Sequence, residues 1–262
     1  MPIPSMSLSI IGLGLFDEKD ITVRGLEMVK AADVVYLECY TSVLQCRQDV
    51  LESFYGKNVI MADREMVESK AEETILSDAK DKKVALLVVG DPLGATTHED
   101  IIVRARDKNI EIMIVPNASI FSSIGATGLQ LYKFGKTASI PFYSSEIPID
   151  TPLNVISDNK KSKSHTLLLL DLDPPNDRFM SVNDAISALL NASVRRKDGI
   201  FGPDTLCVGC ARLGGPSPTI KSGSASLLSF EDFGKPPHCL IVPGDLHFME
   251  EESLARFKAV NP

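Results

Sequence analysis

The residues best equipped for chemistry fall in three short segments, each just after an apolar run: Gly12-Leu13-Gly14, Gly90-Asp91-Pro92 and Asn117-Ala118-Ser119. Glycine lets backbone approach a ligand closely, while Asp, Asn and Ser offer short polar arms that meet cations or hydrogen-bond partners. If the preceding runs are parallel strands, these loops share the edge where open α/β sheets bind ligands. The segment 84–98 also has an account that needs no ligand. Pro92 holds Asp91 extended, and Thr96 with Glu99 three residues on has the spacing of a helix capping box.

Other chemistries fail on spacing. A dinucleotide fingerprint needs a third glycine after Gly12-x-Gly14, but that position is Asp17, whose carboxylate would oppose a pyrophosphate. Gly135-Lys136-Thr137 ends like a phosphate loop, yet the glycine required upstream is Gln130; the segment reads as a helix C-cap glycine followed by a strand. Cys207 and Cys210 have chelating spacing, but they sit in a strand pattern that turns them to opposite faces, with no partner pair. The histidines (His98, His165, His238, His247) are scattered, and no metal site is expected. No G-x-S-x-G elbow occurs, and no Ser or Cys has a base at diagnostic spacing. The chemistry therefore asks little of the protein's own side chains.

The elements that must position these residues follow from hydrophobic pattern. Strand-length apolar runs occur at 7–13, 33–37, 58–61, 84–89 and 111–115, with helical periodicity at 21–32, 71–80 and 98–108. Such alternation predicts a mostly parallel sheet covered on both faces. Later, a helix is expected over 120–134 with Ser119 as its cap. A Pro/Ser-rich stretch (141–152) and a polar run (160–164) follow, then a strand at 166–172, a helix at 182–195 and strands at 204–211 and 239–242. Fewer helices per strand imply a mixed second sheet. The fold class is α/β with two α/β domains, 1–116 and 117–262.

Composition bounds the partners. The 262 residues are 44% hydrophobic and 24% charged with a net charge of −8, ordinary for a globular protein. That acidic balance, with no large Lys/Arg cluster, disfavours nucleic acid. The longest apolar run, 84–89, is too short to span a bilayer, and the N-terminus lacks the basic region of a signal peptide. Five cysteines, an odd number, read as reduced thiols of a cytoplasmic protein.

Taken together, IIGLGLFDEKDITVRGLE, LECYTS (37–42), VVGDPLGATTH, PNASIFSSIGATGLQLYKFGKT and FGKPPHCLIVPG (233–244) resemble the diphthine synthase family. These are S-adenosylmethionine-dependent methyltransferases of the tetrapyrrole-methylase-like (class III) fold, and the resemblance runs from about 7 to about 248. The G-D-P block alone points only to the wider class; its combination with D-I-T-V-R-G-L-E, L-Y-K-F-G-K and P-P-H narrows it. The resemblance implies a homodimer of two-domain chains holding S-adenosylmethionine in the interdomain cleft, with S-adenosylhomocysteine as product. It assigns cofactor contacts to Leu15, Asp91, Gly94, Ser119, Ile120, Leu170, Leu213 and His238. It implies as acceptor the modified histidine of translation elongation factor 2, whose amino group is methylated repeatedly, with a carboxylate methylated as well in eukaryotic relatives.

The chemistry agrees with these assignments. S-adenosylmethionine carries a sulfonium and an ammonium but no phosphate, so a carboxylate at Asp91 suits it where a dinucleotide would be repelled. Its methyl is already activated, leaving the protein to orient the reactants. Two alternatives stay open: a sister methylase acting on a tetrapyrrole or another small molecule, and a non-catalytic binding protein of the same fold.

Overall fold

The computed structural model describes residues 6–94, 96–142 and 149–259. The chain divides into two compact units, Met1–Phe121 and Ser122–Pro262, a break slightly C-terminal of Pro116.

The first unit contains β1 (Ser7–Gly12), α1 (Val23–Ala31), β2 (Val34–Glu38), α2 (Gln48–Tyr55), β3 (Ile60–Ala62), α3 (Ile75–Ala79), β4 (Lys83–Val88), α4 (Glu99–Asp107) and β5 (Glu111–Val115). The strands form one sheet in the order β3-β2-β4-β1-β5, every pair parallel. Alternate strand residues point to opposite faces, so unbroken apolar strands demand a core on each side. Leu8, Ile10, Leu86 and Val88 pack with Ile75 of α3 and Ile101 of α4. Ile11, Val35, Ala85 and Leu87 pack with Val29 of α1 and Leu51 and Tyr55 of α2. The sheet is thus doubly covered, as its strand pattern requires.

The chain leaves this unit through α5 (Ile120–Ser123). The second unit holds β6 (Ala138–Ile140), α6 (Asp150–Lys161), β7 (Thr166–Leu170), β8 (Leu172–Asp173), β9 (Arg178–Phe179), α7 (Val182–Arg196), β10 (Leu206–Ala211), β11 (Thr219–Ser224), α8 (Ala225–Leu228), β12 (His238–Val242) and α9 (Phe248–Ala255). Its main sheet is mixed, in the order β11-β10-β12-β7-β6, with only β6 and β7 parallel. The short strands β8 and β9 pair as a separate ribbon. Leu168, Leu170, Leu240 and Val242 face Leu153 and Ile156 of α6 and Ile186 and Leu189 of α7. α7 starts on a capping box between Ser181 and Asp184, a device contributing about 1 kcal/mol. Among the described residues, no helix is long and apolar enough to cross a membrane.

The expected elements need several corrections. No helix runs from 120 to 134: α5 tightens into a 3-10 turn over Ile124–Thr127 and stops at Gly128, whose φ is +85°. A Cβ there would lie 2.3 Å from that of Ser253, so a distant part of the chain fixes this stop. Gly135 is not a helix cap either; its N–H donates to the His165 carbonyl (2.9 Å) ahead of β6. Thr96 and Glu99 form no capping box. Thr96 Oγ1 donates to the Pro92 carbonyl (3.0 Å), and α4 begins at Glu99, where His98 is the N-cap and makes no side-chain capping bond. α6 occupies part of the stretch read as Pro-rich and polar, because Pro152 sits in its first turn, where proline is tolerated. The part of that stretch at 143–148 lies outside the described residues.

Candidate functional site

Parallel strands release their loops at one edge, and β4, β1 and β5 are adjacent, so the three polar segments must meet. They do. Gly12 ends β1 where a Cβ would lie 2.6 Å from the Gly90 carbonyl oxygen, 2.8 Å from Asn117 Cβ and 2.9 Å from Pro92 Cδ; only glycine fits. Gly14 and Gly90, at φ +78° and +82°, pair with each other: Gly90 N–H donates to Gly14 O (2.7 Å), and Gly14 N–H to Gly90 O (3.3 Å). Asn117 Nδ2 ties the edge together by donating to the carbonyls of Gly12 (2.9 Å) and Asp20 (3.0 Å). Asp20 Oδ2 accepts from the N–H groups of Leu15 (3.1 Å) and Phe16 (2.8 Å), fixing Leu15 beside Gly90.

Asp91 is half-buried here, and half its hydrogen-bonding capacity is spent on the loops. Oδ1 accepts from Leu93 N–H (2.9 Å) and Oδ2 from Asn117 N–H (3.0 Å). A carboxylate offers about four lone-pair positions, so among the described residues two remain open. Gly94 faces Ser119, 3.3 Å separating its virtual Cβ from the serine's, and Ile120 follows in α5. The structure therefore brings Leu15, Asp91, Gly94, Ser119 and Ile120 to one edge of the first unit.

The remaining candidates meet at an edge of the second sheet. β12 runs antiparallel to β10 and β7, so its first residue lies beside their ends: His238 is opposite Ala211, and Cys239 opposite Leu169. Leu170 ends β7, and Leu213 follows β10; both are buried. Arg212, at φ +54°, organises this edge, donating to the Phe233 carbonyl (3.1 Å), the Lys235 carbonyl and Thr219 Oγ1 (2.8 Å).

His238 is the electrostatic signature of that edge. Nε2 lies 3.0 Å from Gly234 O and 3.2 Å from Lys235 O, so it must carry the proton and donate to both. Nδ1 is then a bare lone pair, buried with no partner among the described residues. Burial pulls the imidazole below its usual 6.5, against the pull of those carbonyls, so the ring is neutral at pH 7. An orphaned acceptor of this kind fits a ligand hydroxyl or amino group.

Sequence reading missed Asn117 Nδ2 as the tie between loops and Arg212 as the organiser of the second edge. Gly12 was visible as a close-approach glycine, but nothing local says which loop approaches it.

Comparison with known proteins identifies the family. The family described as Tetrapyrrole (Corrin/Porphyrin) Methylases matches residues 7–225. A diphthine methyl ester synthase of Aspergillus fumigatus is 46% identical, over 90% of this chain and 88% of its own. A diphthine synthase of Methanocella arvoryzae is 48% identical, over 94% of this chain and 96% of its own. A solved diphthine synthase structure superposes with a TM-score of 0.87 at 40% identity, covering 96% of this chain and 95% of that one.

Proposed function

The chain belongs to the tetrapyrrole methylase family and is an S-adenosylmethionine-dependent methyltransferase of diphthamide biosynthesis, and from that premise we propose that its acceptor is the modified histidine of translation elongation factor 2. The acceptor reading is supported by the names of relatives 46% and 48% identical along nearly the whole chain. The cofactor reading is supported in each unit by itself: among the described residues Asp91 keeps acceptor positions beyond its bonds to Leu93 and Asn117, and His238 Nδ1 has no partner.

When bound, the cofactor supplies a methyl group activated by its sulfonium. The chain's part is to bind and orient. Asp91 meets a positive or N–H-bearing group, and its bonds to Leu93 and Asn117 hold it rigid while it does so. His238 Nδ1 accepts from a hydroxyl or amino donor, fixed in its tautomer by Gly234 and Lys235. Leu15, Gly94, Ser119, Ile120, Leu170 and Leu213 offer backbone groups and apolar contact. No nucleophilic side chain is needed, because orientation supplies most of what an activated methyl donor requires. The same reading makes the enzyme a cytoplasmic homodimer, checked by sedimentation of the purified chain.

The test is transfer of labelled methyl from the cofactor to elongation factor 2, in an extract lacking the endogenous enzyme. Labelled factor is the expected result. Label on a small molecule with none on the factor favours a sister methylase and overturns the reading. Cofactor binding without turnover favours a binding protein.

A further inference from the structure

The first unit carries a second polar cluster that the cofactor assignment leaves unused. It lies at the carboxyl ends of β2 and β4, which are hydrogen-bonded neighbours. Glu38, the last residue of β2, is fully buried. Its Oε1 accepts from the N–H groups of Tyr40 (2.8 Å) and Thr41 (2.5 Å), and its Oε2 from the Thr41 hydroxyl (2.5 Å). Among the described residues no cation pairs with it.

Beside this carboxylate sit two buried side chains with unfinished bonding. His98 is 2% exposed, and its Nδ1 lies 3.2 Å from the Pro92 carbonyl, so Nδ1 holds the proton and Nε2 is a lone pair. That Nε2 has no partner among the described residues, nor has the hydroxyl of Tyr40, which is 7% exposed. Burial keeps His98 neutral and the Tyr40 phenol protonated, and both groups feel the charges of Glu38 and Glu68. Glu68 reaches the phenol's surroundings without meeting it in hydrogen-bond geometry. Arg64 lies over the Tyr40 ring, 5.2 Å from the centroid, and its charge offsets part of the pull of the two glutamates on the phenol.

Ordinary packing does not leave such atoms bare, because each unsatisfied buried polar group is destabilising. Two of them in the field of the same two carboxylates define a preference. A lone pair and a hydroxyl call for a group bearing N–H, and the surrounding negative charge calls for a cation. An anion would be repelled. An amine answers both demands.

We propose that Glu38, Tyr40 and His98 form the subsite for the acceptor's amine, with His98 Nε2 taking a hydrogen bond from its N–H and the Tyr40 hydroxyl completing the contact. This assignment rests on the methyltransferase reading above and names the residues that recognise the second substrate. The three are acceptor-binding residues, separate in the chain from the cofactor candidates.

The experiment uses the full chain and three variants. Tyr40→Phe removes only the hydroxyl. His98→Asn keeps a donor toward Pro92 and deletes the lone pair at Nε2, whereas His98→Gln returns an acceptor near that position. Methyl transfer to elongation factor 2 is measured alongside cofactor binding by calorimetry and thermal unfolding. Tyr40→Phe and His98→Asn are each expected to lower kcat/KM for the acceptor at least tenfold, with cofactor Kd unchanged within twofold. His98→Gln recovers part of the loss, and Tyr40→Phe melts no lower than the parent. Unchanged transfer in Tyr40→Phe and His98→Asn overturns the subsite, leaving the cluster as internal packing. Cofactor Kd rising as steeply as kcat/KM falls also overturns it, assigning the groups to the cofactor. If His98→Asn does not fold, Tyr40→Phe decides alone. Failure of the unsubstituted chain to label the factor is a separate result, and it removes the parent reading and this subsite together.

Discussion

His165 and His98 are both buried, and each has a buried glutamate for a neighbour, yet their surroundings differ in one respect. Around His165 every polar atom is used. Nε2 donates to Glu250 Oε1 (2.9 Å) and Nδ1 accepts from Gly244 N–H (3.0 Å). Glu250 also takes Gln130 N–H (2.9 Å), His247 N–H (2.8 Å) and Lys133 Nζ (2.5 Å). Around His98 the glutamate is satisfied by its own loop, but among the described residues Nε2 and the Tyr40 hydroxyl have no partner. A saturated network has no bond left to give a ligand, so its business is structure. An unsaturated one gives up stability to keep a bond open, as binding sites do. Asp91 lies between the two, with two of its acceptor positions used internally.

That gradation predicts a graded response to substitution. Glu250→Ala has the largest effect, because it strands Lys133, His165 and two backbone N–H groups; a loss of about 3 to 5 kcal/mol in urea unfolding is expected. A loss under about 1 kcal/mol would break the comparison at its saturated end. The same network sets an acid limit. Burial pushes the Glu250 carboxyl up, but the N–H groups of His247 and Gln130, Lys133 and His165 outweigh it and hold the pKa at about 2. A depressed folded pKa contributes stability at pH values above the ordinary 4.5, lost as pH falls from there toward 2. Unfolding free energy followed from pH 6 to pH 2 therefore falls across that window, and Glu250→Gln flattens the fall.

Asp91→Ala comes next. Losing two loop bonds costs about 1 to 2 kcal/mol, and calorimetry is expected to show cofactor affinity down at least tenfold. Lost stability with cofactor binding per folded molecule unchanged would move Asp91 to the structural side. The smallest effect on stability belongs to Tyr40→Phe, within about 0.5 kcal/mol of the parent or above it, since no bond is broken. Measured loss above about 1 kcal/mol would mean that the hydroxyl is satisfied after all, and the contrast between the two histidines would go with it.

Much of this layout is legible in the chain itself. The continuous apolar runs read as buried parallel strands because a doubly covered sheet permits nothing else. Gly12-x-Gly14, Gly90-Asp91-Pro92 and Asn117-Ala118-Ser119 each follow a parallel-strand candidate, which makes one ligand edge an expectation, but the strand order that joins them came only with the fold. α2 is carried by Leu51 and Tyr55, four residues apart, and by Gly56 at φ +68°, a signal too short to stand out among loops. β11, TIKSGS, is a polar edge strand without an apolar pattern to announce it.

What the sequence determined by itself is the kind of fold, the family to which its spaced motifs belong, and which loops gather at a sheet edge. The fold and the loop edge follow from local periodicity, which records the face each residue turns to the core, whereas the family rests on the resemblance of the spaced motifs. Tertiary structure alone decided where helix 120–134 stops, since Ser253 closes the space at Gly128 from far along the chain. It also decided that Thr96 turns to Pro92 instead of capping α4, and that Asn117 ties Gly12 to Asp20. Above all it decided which buried histidines are finished and which are not. Whether a polar atom has a partner depends on groups brought close by folding, and no local pattern of residue types records that.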